Sequence, residues 1–379
     1  MMRRRPLIAA LPLVPTILAG AAQAQGELDK VERKVFTAKS FHLESSVVMP
    51  EIVIAYETYG TLAPDGRNAV LLTHGYTSSQ HMAGRYADSG GAPTGAEGAW
   101  DGLVGPGKAI DTDKLFVVSS NMLGSSYGST SPAFLNTYTH EPYGPSFPDI
   151  TLVDIVNAQR ALLEGIGVKH LVAVAGPSFG GYQVFQWGVT HPGFMDGLVP
   201  VVSAPKGSGG QASVDALVGQ LAKDPHWNNG WYYDNGGITG VLTEMRIATL
   251  KRYGIDEQLA AQFPDKALRD TEIARRALSW AKTFDGNSLV ALRKAAVKFD
   301  AAKDFARMKA KVLYVLSRTD KVFPPSIAPA VMAQLKAARV DADYYEIDSE
   351  FGHSASGLDA AKWAPRLADF MASLTKKRS

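Results

Sequence analysis

The chain has 379 residues, with 39 Lys+Arg against 37 Asp+Glu, 46% apolar residues and 20% charged ones. That balance suits a globular chain with a large core and excludes a disordered or polytopic membrane protein. There is no cysteine, which removes thiol nucleophiles, thiolate metal sites and disulfides from consideration.

Arg3, Arg4 and Arg5 precede an uncharged apolar stretch over 6–20, and Ala22-Gln23-Ala24 follows with small residues at both positions a signal peptidase reads. This pattern predicts a signal peptide over 1–24, cleaved after Ala24. The apolar stretch is shorter than the ~20 residues of a spanning helix, so no membrane anchor is expected. The arginines point to bacterial export, by the Sec or the twin-arginine route, with the periplasm as destination. Cleavage takes Lys+Arg from 39 to 36 against 37 acids. A nearly neutral mature chain gives no reason to expect a nucleic-acid partner.

Beyond residue 24, short β-branched runs alternate with helical patterns, which predicts a mostly parallel sheet with helices on both faces. Residues 41–45 and 51–59 read as an entry hairpin. AVLLT at 69–73 and LFVVS at 115–119 read as buried strands, joined by a glycine-rich surface loop over 90–107. Asp149 or Thr151 caps a helix with Leu152, Ile155, Val156, Leu162 and Ile166 at helical spacing. LVAVA at 171–175 reads as a strand, followed by a helix over 179–189. Further strands are expected at 198–203, 312–316 and 343–347, and a last helix at 361–374. The interval 206–308 breaks the alternation, with helical stretches at 214–222, 239–253, 271–283 and 289–297 and no convincing strand. It is positioned as a helical lid between two parts of a core, 25–205 and 309–379.

Gly176-Pro177-Ser178-Phe179-Gly180 lies between the LVAVA strand and a helix. Such a G-x-S-x-G turn lifts a serine hydroxyl above the sheet, and Gly176 and Gly180 leave room where side chains would collide. By itself the pentapeptide fits a helix cap as well as a nucleophile. The partners decide between them. A serine needs a base, and the base needs an orienting acid. Asp320 follows VLYVL and His353 follows DYYEI, each at the C-terminal end of a predicted strand and in the order Ser, Asp, His of the α/β-hydrolase fold. Ser178, Asp320 and His353 are thus the expected catalytic triad. The expected oxyanion donors are the backbone N–H groups of Phe179 and Tyr76, with His74 shaping the loop rather than acting as a base. Histidines 42, 81, 140, 170, 191 and 226 lack metal-ligand spacing, so neither metal nor cofactor is expected.

Longer stretches carry a family likeness. These are the run from Trp100 to Thr112, Asn121-Met122-Leu123-Gly124, Tyr127-Gly128-Ser129-Thr130, Tyr143-Gly144-Pro145, the elbow, Asp320 with Phe323-Pro324-Pro325, and Gly352-His353. Together they resemble the homoserine O-acetyltransferase family of α/β hydrolases over nearly all of the chain after residue 24. The resemblance implies the same triad and oxyanion hole, a lid over about 206–308, and a homodimer formed through that lid. Members with the homoserine activity carry an acidic residue directly after the catalytic histidine, where this chain has Ser354. They also carry a lid arginine shortly before an Asp-Pro pair, whereas 215–223, ahead of Asp224-Pro225, has none. Those two charges would hold an amino acid's ammonium and carboxylate, and burying a zwitterion without them is costly. Export would also separate the enzyme from cytoplasmic acetyl-CoA. The resulting expectation is an exported serine hydrolase that cleaves a carboxylic ester or related acyl bond of a small molecule through a Ser178 acyl-enzyme. An O-acyltransferase of the family type and a non-catalytic binding protein are the alternatives.

Overall fold

In the computed structural model, which describes residue 28, residues 31–86 and residues 97–375, the alternating pattern becomes one eight-stranded sheet. The expected signal peptide, 1–24, lies outside the described residues. β1 (Lys34–His42) and β2 (Val48–Tyr59) form the antiparallel entry hairpin. Next come β3 (Ala69–Thr73), a separate parallel pair of β4 (Val104–Gly105) and β5 (Ile110–Asp111), and β6 (Phe116–Ser120). After α1 (Leu152–Gly165), β7 (Leu171–Pro177), α2 (Phe179–Thr190) and β8 (Met195–Val201) the sheet is interrupted. The interruption carries α3 (Gly210–Leu221), α4 (Thr239–Arg252), α5 (Ile255–Leu259), α6 (Lys266–Ala281) and α7 (Gly286–Lys298). β9 (Lys311–Ser317), α8 (Ala328–Ala337), β10 (Ala342–Ile347), α9 (Ala355–Leu358) and α10 (Ala360–Thr375) complete the chain.

The strand order is β1-β2-β6-β3-β7-β8-β9-β10, parallel from β6 to β10. The chain leaves β3 toward β6 on one side and later returns to β7 on the other. Loops leaving β3 and β7 therefore diverge at a topological switch point, where open α/β sheets open a crevice. Both faces of the sheet are covered, which explains the uninterrupted apolar runs of its central strands. Alternate side chains serve opposite layers. Leu71 and Val174 pack with Ile155, Leu162, Phe185 and Trp187 on one side, and Leu72, Ala173 and Ala175 with Trp100, Trp363 and Leu367 on the other.

Of the two candidate caps for α1, Thr151 serves. Its side chain accepts from Asp154 N–H while the Asp154 carboxylate accepts from Thr151 N–H. Asp149 instead pairs with Lys294 and Lys298 of α7. The glycine-rich stretch expected as a surface loop over 90–107 is corrected in its described part. Trp100, Leu103 and Val104 are buried, and the Trp100 ring lies edge-on to Trp363 of α10 at 5.8 Å. Gly98 permits this descent, because a Cβ there would fall 2.3 Å from Ala83 N. Glycine density here lets backbone approach backbone rather than marking exposure.

Candidate active site

β7 ends at Pro177 and α2 begins at Phe179, leaving Ser178 alone at the turn with φ 57° and ψ −121°. An L-residue enters that region only where the surroundings enforce it. Ser178 N–H donates to Val201 O at 2.9 Å, and Ser178 O accepts from Ser203 Oγ at 2.7 Å. A Cβ on Gly176 would lie 2.0 Å from Thr73 Oγ1, and one on Gly180 would lie 2.6 Å from Thr73 O. Both elbow glycines are therefore required by the closeness of β3. The Ser178 side chain makes no capping hydrogen bond to α2, so the cap reading falls away.

Asp320 and His353 stand on the loops after β9 and β10, and the structure brings them together. His353 Nδ1 donates to Asp320 Oδ2 at 2.9 Å, with both side chains buried. Asp320 Oδ1 accepts the backbone N–H groups of Val322 at 2.7 Å and Phe323 at 3.2 Å. A proton held on Nδ1 leaves Nε2 as the basic nitrogen. Nε2 is buried and has no hydrogen-bond partner among the described residues, Ser178 Oγ included. Catalytic hydrogen bonds of this kind commonly tighten only in the substrate complex. The imidazole is held between Tyr253 at 4.6 Å and Phe323 at 5.8 Å. Tyr182 bridges back to the elbow, 5.9 Å from Phe323 and 5.5 Å from Phe179.

The loop after β3 lies against the nucleophile, since a Cβ on Gly75 would sit 3.7 Å from Ser178 Cβ. The backbone N–H of Tyr76 follows in that loop, and the N–H of Phe179 is the first of α2. Among the described residues neither has an acceptor, as an oxyanion hole requires. His74 is engaged at both ring nitrogens, Nδ1 to Gly75 O at 2.9 Å and Nε2 accepting from Met122 N at 3.2 Å. Burial lowers its pKa to about 4, so it is a neutral loop brace. Tyr76 stacks on Phe179 at 5.8 Å, and its hydroxyl donates to Leu289 O, tying the loop after β3 to α7.

Two groups absent from the sequence expectation complete the site. Arg246 and Tyr253 are separated by two helical turns, at α4 and its C-cap, and so share a face. Tyr253 covers His353. Arg246 Nη1 donates to Thr77 Oγ1 at 2.7 Å, one residue from Tyr76, and the guanidinium lies 5.0 Å from the Trp280 ring centre. Trp280 Nε1 donates to Thr77 O at 3.1 Å, fixing this arrangement. Arg246 Nε is buried without an acceptor, and no carboxylate among the described residues pairs with the guanidinium. Burial lowers its pKa. The stretch 215–223 carries no arginine, and the lid guanidinium beside this loop comes instead from Arg246 of α4. The available signal was a cation on the same helical stripe as Leu242, Thr249 and Tyr253. The position after His353 remains neutral, with Ser354 N–H donating to Phe351 O.

Residues 68–359 match the family model of the alpha/beta hydrolase fold. The homoserine O-acetyltransferase of Methanosphaerula palustris is 37% identical over 352 residues, covering 87% of this chain and 70% of that one. That of Geotalea daltonii is 33% identical over 361 residues, covering 90% and 97%. Among solved structures, esterase E22 superposes with a TM-score of 0.81 at 27% identity, covering 90% of this chain and all of the other (100%). The homoserine O-acetyltransferase from Bacillus anthracis does so with a TM-score of 0.81 at 25% identity, covering 90% and 98%. This chain is an enzyme of the α/β-hydrolase superfamily and belongs to its homoserine O-acetyltransferase family.

Proposed function

We propose that the protein is an O-acyltransferase that forms an acyl ester on Ser178 and passes it to the hydroxyl of a small carboxylate-bearing acceptor. His353 Nε2 takes the Ser178 proton as Oγ attacks the donor carbonyl, and the Tyr76 and Phe179 N–H groups receive the oxyanion. The imidazolium, stabilised by Asp320, then gives its Nε2 proton to the departing alkoxide or thiolate. In the second half-reaction His353 takes the acceptor hydroxyl's proton, the acceptor oxygen attacks the acyl carbonyl, and collapse returns the proton to Ser178 Oγ.

Arg246 carries this reading. A half-buried guanidinium beside the loop after β3, without an acidic partner among the described residues, is matched by an acceptor carboxylate, to which it can present paired N–H donors. The relatives named as homoserine O-acetyltransferases support transfer over the hydrolysis favoured from sequence. Ser354 gives an acceptor ammonium no counter-charge, so hydroxy acids without an amino group fit as well as homoserine. A second reading, hydrolysis with water as acceptor, is favoured by that same neutral Ser354 and by the similarity to esterase E22. The test supplies p-nitrophenyl acetate with L-homoserine or 4-hydroxybutyrate and identifies products by NMR. O-acetylated acceptor in excess of acetate is expected. Acetate alone, at saturating acceptor, would establish the hydrolase.

We further propose export, supported by Arg3–Arg5, the apolar stretch and Ala22-Gln23-Ala24. Native material should begin at Gln25, and recovery of an intact Met1 would refute it. Pairing through the lid is supported by Leu268 and Leu278, which α6 leaves exposed. Light scattering should give a dimer that Leu278→Glu dissociates, and a monomeric wild type would refute it.

A further inference from the structure

The hairpin-like turn 135–142 and the segment 228–235 ahead of α4 enclose a groove of about 540 Å³ that none of Ser178, Asp320 and His353 lines. Trp231 lines it with 46% of its surface exposed, unusual for an indole in a protein of this size. The ring is not loose. It rests on Gly144, where a Cβ would lie 3.0 Å from Trp231 Cζ3 and 3.1 Å from Cε3. Trp231 N–H donates to Asn228 O at 3.0 Å, and Asn228 Nδ2 donates back to Trp231 O at 3.1 Å. Asn228 and Asn229 both adopt left-handed backbone, with φ 42° and 54°, to present the loop in this form. Tyr233 forms the floor, its hydroxyl fixed by Asp285 and Asn287.

Around this aromatic platform the groove is lined by carboxamides and carboxylates, Asn136, Glu141, Asn228, Asp234 and Asn235, with no lysine or arginine. The Glu141 and Asp234 carboxylates line the groove, are exposed, and have no hydrogen-bond or ion-pair partner among the described residues, so their acceptor capacity is open to a ligand there. Rigid donors and acceptors in fixed pairs, set about an exposed indole face, match a ligand with an apolar face and a rim of hydroxyls. We infer that this groove binds an oligosaccharide of β-1,4-linked, gluco-configured pyranoses. Their hydroxyls are equatorial, so each ring offers a C–H face to Trp231 and hydroxyls to the amides and carboxylates beside it. None of the groove residues belongs to the acyl-transfer site, so the inference stands whether Ser178 performs transfer or hydrolysis.

The test is isothermal titration of the full chain with cellotetraose and with chitotetraose, and separately with tetramethylammonium chloride. At least one tetrasaccharide should bind with Kd on the order of 0.1–1 mM. Trp231→Ala should weaken binding about tenfold or more, and Asp234→Asn should weaken it measurably. Both variants should keep the wild-type rate of Ser178 acylation, which shows that they are folded. Binding of tetramethylammonium but of neither saccharide would overturn the inference in favour of an organic cation held by Trp231, Glu141 and Asp234. No binding of any probe, or saccharide binding unaltered by Trp231→Ala, would overturn it outright.

Discussion

Asp320→Asn isolates the contribution of the orienting acid. Asp320 is buried and divides its two oxygens between tasks, Oδ1 for the Val322 and Phe323 N–H groups and Oδ2 for His353 Nδ1. Asparagine can keep Oδ1 on the two backbone donors, which leaves its NH₂ facing Nδ1. Nδ1 must then accept, the ring proton moves to Nε2, and the only nitrogen able to take the Ser178 proton is blocked. Loss of the base with the elbow intact costs about 10⁴-fold in turnover, or about 5 kcal/mol of barrier. Folding should suffer far less, on the order of 1–2 kcal/mol for one altered buried hydrogen bond. The assay pairs p-nitrophenyl acetate turnover and fluorophosphonate labelling with urea denaturation. A turnover loss below about tenfold, with the variant folded, would refute the assignment of Asp320 as the group fixing the His353 tautomer.

Gly180→Ala would place a Cβ 2.6 Å from Thr73 O and 3.2 Å from His74 O, so we expect about 1–3 kcal/mol of destabilisation by urea melt; an unchanged midpoint would contradict the close approach. Arg246→Met should raise KM for a carboxylate-bearing acceptor about 10–100-fold, the worth of a charged hydrogen bond, and leave Ser178 acylation by p-nitrophenyl acetate unaltered. An equal loss for the acceptor's methyl ester would show that Arg246 is not reading the carboxylate. His74 has a pKa of about 4 in the fold against 6.5 in the open chain, so the unfolded state binds its proton first. Its contribution to stability is complete above pH 6.5, declines by at most about 1.4 kcal/mol per pH unit below that, and levels off below about pH 4. His191, lowered to about 4 by burial and by Arg160, acts in the same direction. Urea midpoints between pH 7 and 4 should show the decline, made shallower by His191→Gln, and a flat profile would contradict both assignments.

The sheet, and the placing of Ser178, Asp320 and His353 at strand ends, could be read from residue order because each depended on local signals. β3, β7 and β9 are continuous apolar runs closed by a sharp polar or glycine-rich turn, and the chemistry sits directly after them. Thr151 was recognisable as a cap from its type and position, although Asp149 competed until its pairing with Lys294 and Lys298 was visible. What stayed hidden depended on packing between distant segments. The stretch around Trp100 has the composition of a loop, and only contact with Trp363 shows that it lies inside. Arg246 is one of many basic residues on lid helices. Its meaning comes from Thr77, Trp280 and the missing acid, two contacts and an absence that no spacing rule encodes. The stretch 215–223 ahead of Asp224-Pro225 holds no arginine, and the guanidinium is carried by α4.

The most direct measurement is the mass of the protein during a single turnover. The chain is mixed with p-nitrophenyl acetate, quenched at intervals with and without 4-hydroxybutyrate, and digested. We expect one acetyl group on the peptide containing Ser178, lost faster as acceptor concentration rises, with O-acetyl acceptor appearing at the same rate. An adduct elsewhere, or none, would contradict the Ser178 acyl-enzyme; an adduct on Ser178 whose decay ignores the acceptor and yields only acetate would contradict transfer.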